Sequence, residues 1–261
     1  MPYFAANLTM MFNEWSFLDR FSAARDAGFS AVEFLFPYEH SPEEVAAKLE
    51  ACQLTTALFN LPAGDWAGGE RGVAALPERF NELQNMTEKA LVYAAATKVK
   101  RLHLMSGLAD RQSPQAQLAY RKSVSWVAER LAQNGLDLVL EPINPRNMPG
   151  YFLNDFNYAH QLITDLGLAN LKLQFDIYHR QIIHGDVATA LQTMMPLIGH
   201  VQTASVPYRH EPGTGELNDR FLFTLLDQLG YQGFVGCEYH PAGETFAGLG
   251  WFLEYAQKGL S

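Results

Sequence analysis

The sequence is short of several things, and each shortage narrows what the chain can be. Cysteine occurs twice in 261 residues, at Cys52 and Cys237. Two thiols so far apart make neither a disulfide framework nor a CxxC motif. Positive charge is scarce: 19 Lys and Arg stand against 28 Asp and Glu, a net charge of −9 with the 8 histidines neutral. No basic cluster interrupts that balance, so neither nucleic acid nor an anionic membrane is an expected partner. No apolar run reaches the roughly 18 residues of a membrane helix. The apolar start "MPYFAANLTMMF" lacks the positive residues and cleavage site of a signal peptide. A soluble, cytoplasmic protein is the expectation. Asn7-Leu8-Thr9 and Asn85-Met86-Thr87 are then chance matches to the glycosylation sequon. Also missing are GxGxxG and the P-loop. The first strand candidate runs into Leu8-Thr9-Met10 with no glycine, which disfavours a doubly wound nucleotide-binding sheet.

What is present is alternation. Short β-like runs cover Phe4–Asn7, Ala31–Phe34, Thr55–Asn60, Arg101–Met105, Asp137–Glu141, Leu171–Asp176, Ile198–Gln202 and Phe234–Glu238. Helix-like stretches lie between them. Phe17, Phe21 and Ala24 form a stripe that stops near Gly28. Ser41-Pro42 and Ser113-Pro114 each pair an N-cap residue with proline at the first helical position. The helix after Ser113 should stop near Gly135. Asn218 to Gly230 carries Phe221, Leu222, Leu225, Leu226 and Leu229 on one face. The chain is 48% hydrophobic and can bury a full core. Eight strand–helix units in a chain of this length, with no linker, predict one α/β domain over residues 1–261, a (β/α)8 TIM barrel. The glycine-rich segment "AGDWAGGERG" follows the third strand; it is a mobile cover over a site or an ordinary surface loop.

In such a barrel the chemistry sits where strands end. Strands five to eight end on Glu141, Asp176, Gln202 and Glu238. On the sixth, Lys172, Gln174 and Asp176 alternate with Leu171, Leu173 and Phe175, so a polar face points into the barrel. Each of the four end residues alone reads as a solvent-facing cap. Together, three carboxylates and an amide converging on one point would repel without a cation. An all-oxygen set suits a hard divalent ion, Mg²⁺ or Mn²⁺.

At these residues the sequence resembles the hydroxypyruvate isomerase family of the xylose-isomerase-like barrel superfamily. The resemblance is carried by "ANLTMMF", "VEFLFPY", "NLPAGDWAGGERG", "LEPIN", "FDIYH", "GHVQ", "EPGTGELN" and "GCEYHP", spread over nearly the whole chain. It implies a divalent metal on Glu141, Asp176, Gln202 and Glu238, with catalysis by Glu141 and Glu238. It also implies an aldose–ketose type isomerase acting on a small keto or hydroxy acid, either hydroxypyruvate or the one-carbon-longer 2-oxo-tetronate. A homo-oligomer is compatible with everything in the sequence.

Around that frame stand further candidates. His179, three residues after Asp176, either hydrogen-bonds a substrate oxygen or packs at a strand–helix junction. His103 is either a substrate contact or a satisfied interior histidine. Arg209 and His210 are nearest to hold a substrate carboxylate, against a solvated loop. Glu216 should cap the helix beginning near Asn218 rather than orient a ligand. Trp66 is placed to shield a site, and Trp251 belongs to the core. Three other readings compete with the isomerase. A ketose 3-epimerase would usually carry histidine at position 202. A DNA-repair endonuclease needs several zinc-binding histidines and a basic groove. A non-catalytic binder needs no paired proton acceptors.

Overall fold

The computed structural model describes residues 2–256. Eight parallel strands, β1 (Tyr3–Asn7), β2 (Ala31–Phe34), β3 (Thr55–Asn60), β4 (Arg101–His103), β5 (Asp137–Leu140), β6 (Leu171–Asp176), β7 (Ile198–Thr203) and β8 (Phe234–Cys237), close into a barrel in chain order. The seam pairs Tyr3 with Phe234 and Ala6 with Cys237. Among the described residues ten α-helices are interleaved with them: α1 (Phe17–Asp26), α2 (Pro42–Cys52), α3 (Phe80–Thr97), α4 (Pro114–Ala132), α5 (Phe156–Leu166), α6 (Ile177–Ile183), α7 (Val187–Met194), α8 (Asp219–Gln228), α9 (Thr245–Gly248) and α10 (Gly250–Ala256). Among the described residues no helix is long and apolar enough to cross a membrane.

Helix starts follow local chemistry. Ser41 and Glu44 form a reciprocal capping box with Pro42 at the first position. Ser113, Asp155 and Asn218 each accept a first-turn N–H. Glu216 does not cap α8, contrary to the sequence expectation. Asn218 takes that role, and the Glu216 carboxylate accepts from Gln181 Nε2 at 3.0 Å. Asn is as good a cap as Glu is poor, because its short side chain reaches back to the first-turn amides.

The main core lies between barrel and helices. Phe4 alone packs edge-on against Phe223, Trp251 and Tyr255 at centroid separations of 5.0, 5.1 and 5.2 Å. Trp251 is therefore core-packed. A second, small cluster of Ala5, Ala31 and Ala57, lidded by Phe234, plugs the start of the barrel. Two residues further on, the same alternation brings Asn7 and Glu33 to the interior.

Two bulges, one between Val32 and Glu33 on β2 and one on β6, tune what the interior receives. Between Leu173 and Gln174 the partner on β7 jumps from Ile198 to His200. That places Gln174 beside His200 and Asp176 beside Gln202. The skipped residue is Gly199, where a side chain would collide with Lys172. β4 is two residues shorter than its sequence pattern. Beyond it the backbone of Ser106 is taken by an antiparallel bridge to Gly72 instead.

Candidate metal centre and active site

β5 and β8 each stop one residue before a glutamate, so Glu141 and Glu238 emerge at the rim with strand-like direction. Asp176 is the last residue of β6 and also the N-cap of α6; its Oδ1 accepts the Tyr178 N–H at 2.7 Å. Capping uses one oxygen and leaves Oδ2 turned to the barrel axis. His179 follows on the first turn of α6. These four residues each bring one donor atom to within 4.8 Å of the others, and all four are buried.

The carboxylates are poorly satisfied. Glu141 Oε1 and Asp176 Oδ2 have no hydrogen-bond partner among the described residues. Burial, reinforced by Glu238 and Asp176, pushes the Glu141 carboxyl well above the usual carboxylate range. Burial pushes Asp176 up to about 6 and Glu238 up to about 8, against the opposing pull of Arg209. Three buried acids that cannot all ionise alone are what a divalent cation would relieve. The donor set and its orphaned oxygens therefore fit a metal ion.

Arg209 brings a cation to the carboxylates. Its Nη2 donates to Glu238 Oε2 at 2.6 Å and lies 3.6 Å from Asp176 Oδ2, with the guanidinium 5.0 Å over the Tyr178 ring. The residue is held at φ +59°, a left-handed backbone rarely taken by arginine. Ser205 O, accepting the Arg209 N–H at 2.9 Å, and Arg209 O, accepting from His240 N at 2.9 Å, hold that turn. His210 turns elsewhere: its Nδ1 meets His240 O at 2.8 Å.

His103 lies across the site, its Nε2 at 3.9 Å from Glu141 Oε2 and its Nδ1 at 3.2 Å from Asn60 Oδ1. Burial, and then the nearby His200, push it down to about 3, so the ring is neutral. His179 Nε2 is 3.8 Å from Glu141 Oε1 and 3.6 Å from Asp176 Oδ2. Gln202 is buried beside them, and its amide is engaged twice. Oε1 accepts from Gln174 Nε2 at 2.7 Å, and Nε2 donates to Glu33 Oε1 at 2.8 Å. The Glu33 contact fixes which end of the amide is oxygen. Trp66 packs on Phe36 and under Arg71, at 5.1 and 4.0 Å.

The strand-end pattern did not single out Glu33, His200 and Asn7. Glu33 accepts from Asn7 Nδ2 at 3.0 Å and His200 Nε2 at 2.7 Å besides Gln202. The one signal was a carboxylate inside the apolar strand Ala31–Phe34. Gly236 belongs to this layer too, since a side chain there would run into the Glu33 carboxylate. Asn144 was also missed; its backbone N–H and side-chain Nδ2 lie 3.3 and 2.6 Å from His179 Nδ1.

Comparison with known proteins agrees with this architecture. A 2-oxo-tetronate isomerase of Cupriavidus necator is 51% identical over 98% of this chain and 99% of its own. The hydroxypyruvate isomerase of Escherichia coli is 41% identical over 98% of this chain and all of its own, at 100%. A Brucella melitensis crystal structure, described as an AP endonuclease of family 2, superposes with a TM-score of 0.95 at 46% identity, covering 98% and 99% of the two chains. Residues 21–255 match the model of one family, and by that match and these identities the chain belongs to the xylose isomerase-like TIM barrel family.

Proposed function

We propose that the protein is a metal-dependent isomerase that interconverts hydroxypyruvate and 2-hydroxy-3-oxopropanoate (tartronate semialdehyde). The observation that carries this reading is the pair of buried glutamates, Glu141 and Glu238, converging with Asp176 where Glu141 Oε1 and Asp176 Oδ2 have no hydrogen-bond partner among the described residues. The reaction moves a proton from C3 to C2 and a hydroxyl proton from O3 to O2. One glutamate takes the carbon-bound proton, and the other returns one to the neighbouring carbon. Carboxyls whose pKa burial raises above the ordinary range suit that exchange. Glu141, Asp176, Glu238 and the Gln202 oxygen would hold a Mg²⁺ or Mn²⁺, which would supply positive charge where negative charge develops on the substrate oxygens. His103 and His179 face the same space and contact substrate oxygens. Arg209 is the group that meets the substrate carboxylate.

A second substrate, 2-oxo-tetronate, is favoured by the Cupriavidus necator relative, which carries that name. The chemistry is the same on a longer acid. An endonuclease reading finds little support: the cluster offers one histidine beside three carboxylates, and the chain carries a net −9.

The test is to incubate metal-loaded protein with three- to six-carbon keto acids and ketoses and follow isomer formation by NMR. Chelation should abolish turnover and Mg²⁺ or Mn²⁺ should restore it. Full activity in a demonstrably metal-free sample would sink the site as drawn.

A further inference from the structure

We propose that Asn144 is a positioning residue that holds His179 in the tautomer with its proton on Nε2, so the ring faces the carboxylates as a donor and not as a metal ligand. The geometry fixes this without reference to any ligand. His179 Nδ1 faces two N–H groups, the Asn144 backbone amide at 3.3 Å and its side-chain Nδ2 at 2.6 Å. A backbone N–H can only donate. The side-chain amide is oriented separately: Asn147 N donates to Asn144 Oδ1 at 3.0 Å, so the other branch is the NH₂ group. That NH₂ also reaches Asn147 Oδ1 at 2.9 Å, which in turn accepts from Tyr178 OH at 2.8 Å. A ring nitrogen facing two donors presents its lone pair and carries no proton. The ring proton is therefore on Nε2.

Nε2 is the atom that lies 3.6 and 3.8 Å from Asp176 and Glu141. Those distances are too long for direct hydrogen bonds and leave room for an oxygen between. A protonated nitrogen has no lone pair for a metal. Metal-bound histidines also donate their other N–H to an acceptor, whereas here the other nitrogen receives. His179 thus sits within the cluster and stays outside the ligand set. Its N–H is aimed at the substrate oxygen on which negative charge grows, and it is the Asn144–Asn147–Tyr178 chain that aims it.

The tautomer stands on geometry alone; its kinetic consequence rests on the isomerase reading, and the experiment separates the two. Metal-free protein labelled with ¹⁵N-histidine is studied by long-range ¹H–¹⁵N correlation, with His179 assigned by its loss in His179→Gln. Expected is a pyridine-type Nδ1 and a pyrrole-type Nε2. The reverse pattern overturns the proposal and needs no variant. Asn144→Asp replaces the donor by an acceptor and should draw the proton to Nδ1, opposed only by the longer backbone contact; an unmoved tautomer overturns the role of Asn144. Mn²⁺ affinity measured by calorimetry should change less than about tenfold in His179→Gln, below the ~10–100-fold typical of losing even a group that supports a ligand; a larger loss makes His179 a ligand and ends the proposal. With the best substrate of the panel, Asn144→Asp should lower kcat by ~10²-fold, the scale of one misplaced oxyanion donor, with KM little changed. A purely structural role would lower thermal stability and leave tautomer and kcat alone. If the wild type isomerises nothing, the functional reading falls and the NMR result still decides the tautomer.

Discussion

Glu33 and Glu141 are both glutamates, both buried, and both turned to the barrel interior. Glu33 has three donors on its two oxygens, from Asn7, His200 and Gln202. Glu141 keeps an oxygen with no hydrogen-bond partner among the described residues and shares its space with two more acids. The layers are one strand alternation apart. A satisfied buried carboxylate ties strands together and holds Gln202 in one orientation. An unsatisfied one is a debt that only a cation or a proton can settle. Burial alone, then, does not mark function; burial without partners does.

The contrast breaks most sharply in activity. Glu141→Gln and Glu238→Gln should each lose about 10²–10⁴-fold in kcat at saturating metal, because an amide can offer an oxygen but cannot take a proton. Turnover in the NMR assay, with metal content measured on the same sample, checks this. Exchange of the substrate C3 proton in D₂O should survive in only one of the two variants. Wild-type turnover in either, with metal bound, would reduce that residue to a ligand or a strand end.

The layers should part again in stability. Glu33→Gln turns an NH₂ group toward groups that already donate and should cost ~1–3 kcal/mol in chemical denaturation. Glu141→Gln in metal-free protein should cost nothing or stabilise at pH 8, since it removes a carboxyl that resists ionising. If Glu33→Gln is the harmless one, the two layers have been misread.

The smallest effect is in pH. A carboxyl whose folded pKa is raised holds its proton longer in the native state, so its contribution is full at low pH and is lost as pH rises through the folded value. Glu238, at about 8, and Glu141, raised well above the usual carboxylate range by burial, act in this direction across pH 7–8. His103 and His179 are lowered by burial and neutral in the native state; near pH 6.5 the protons they gain in the unfolded chain oppose this slope, an effect that fades above pH 7, and Asp176, at about 6, has largely titrated. Metal-free protein should thus lose roughly 1 kcal/mol of stability per pH unit over that window. With metal bound, the carboxylates are already ionised and the slope should flatten. Urea melts at three pH values, with and without Mg²⁺, would show it. Equal slopes would mean the cation does not engage these acids.

The barrel and its working rim were legible because both are written in local pattern. Strand ends at Glu141, Asp176 and Glu238 show in a few neighbouring residues. Glu33 was harder, because what makes it special lies elsewhere: its partner Gln202 is 169 residues away. Asn144 was hidden for the same reason, as its partner His179 is 35 residues on, beyond α5 and β6. Glu216 misled in the opposite direction. A charged residue just before a helix looks like a cap until Asn218, two residues later, proves the better fit. The bulge at Gly199, which sets whether His200 and Gln202 face inward, leaves almost no trace in composition.

The barrel seam has a consequence in time. Glu238 follows β8, the last strand, and β8 is held on one side by β1 at the far end of the chain. The four candidate ligands follow the consecutive strands β5 to β8, but β8 is fixed on both edges, by β7 and by β1, only when the seam closes. That seam is the longest-range strand pairing in the barrel, the kind that forms late and slowly. A metal held this way does little to speed the search for the barrel. Its effect falls on the return journey, as a lower unfolding rate. Loss of the ion would first be felt as a shorter lifetime of the closed barrel.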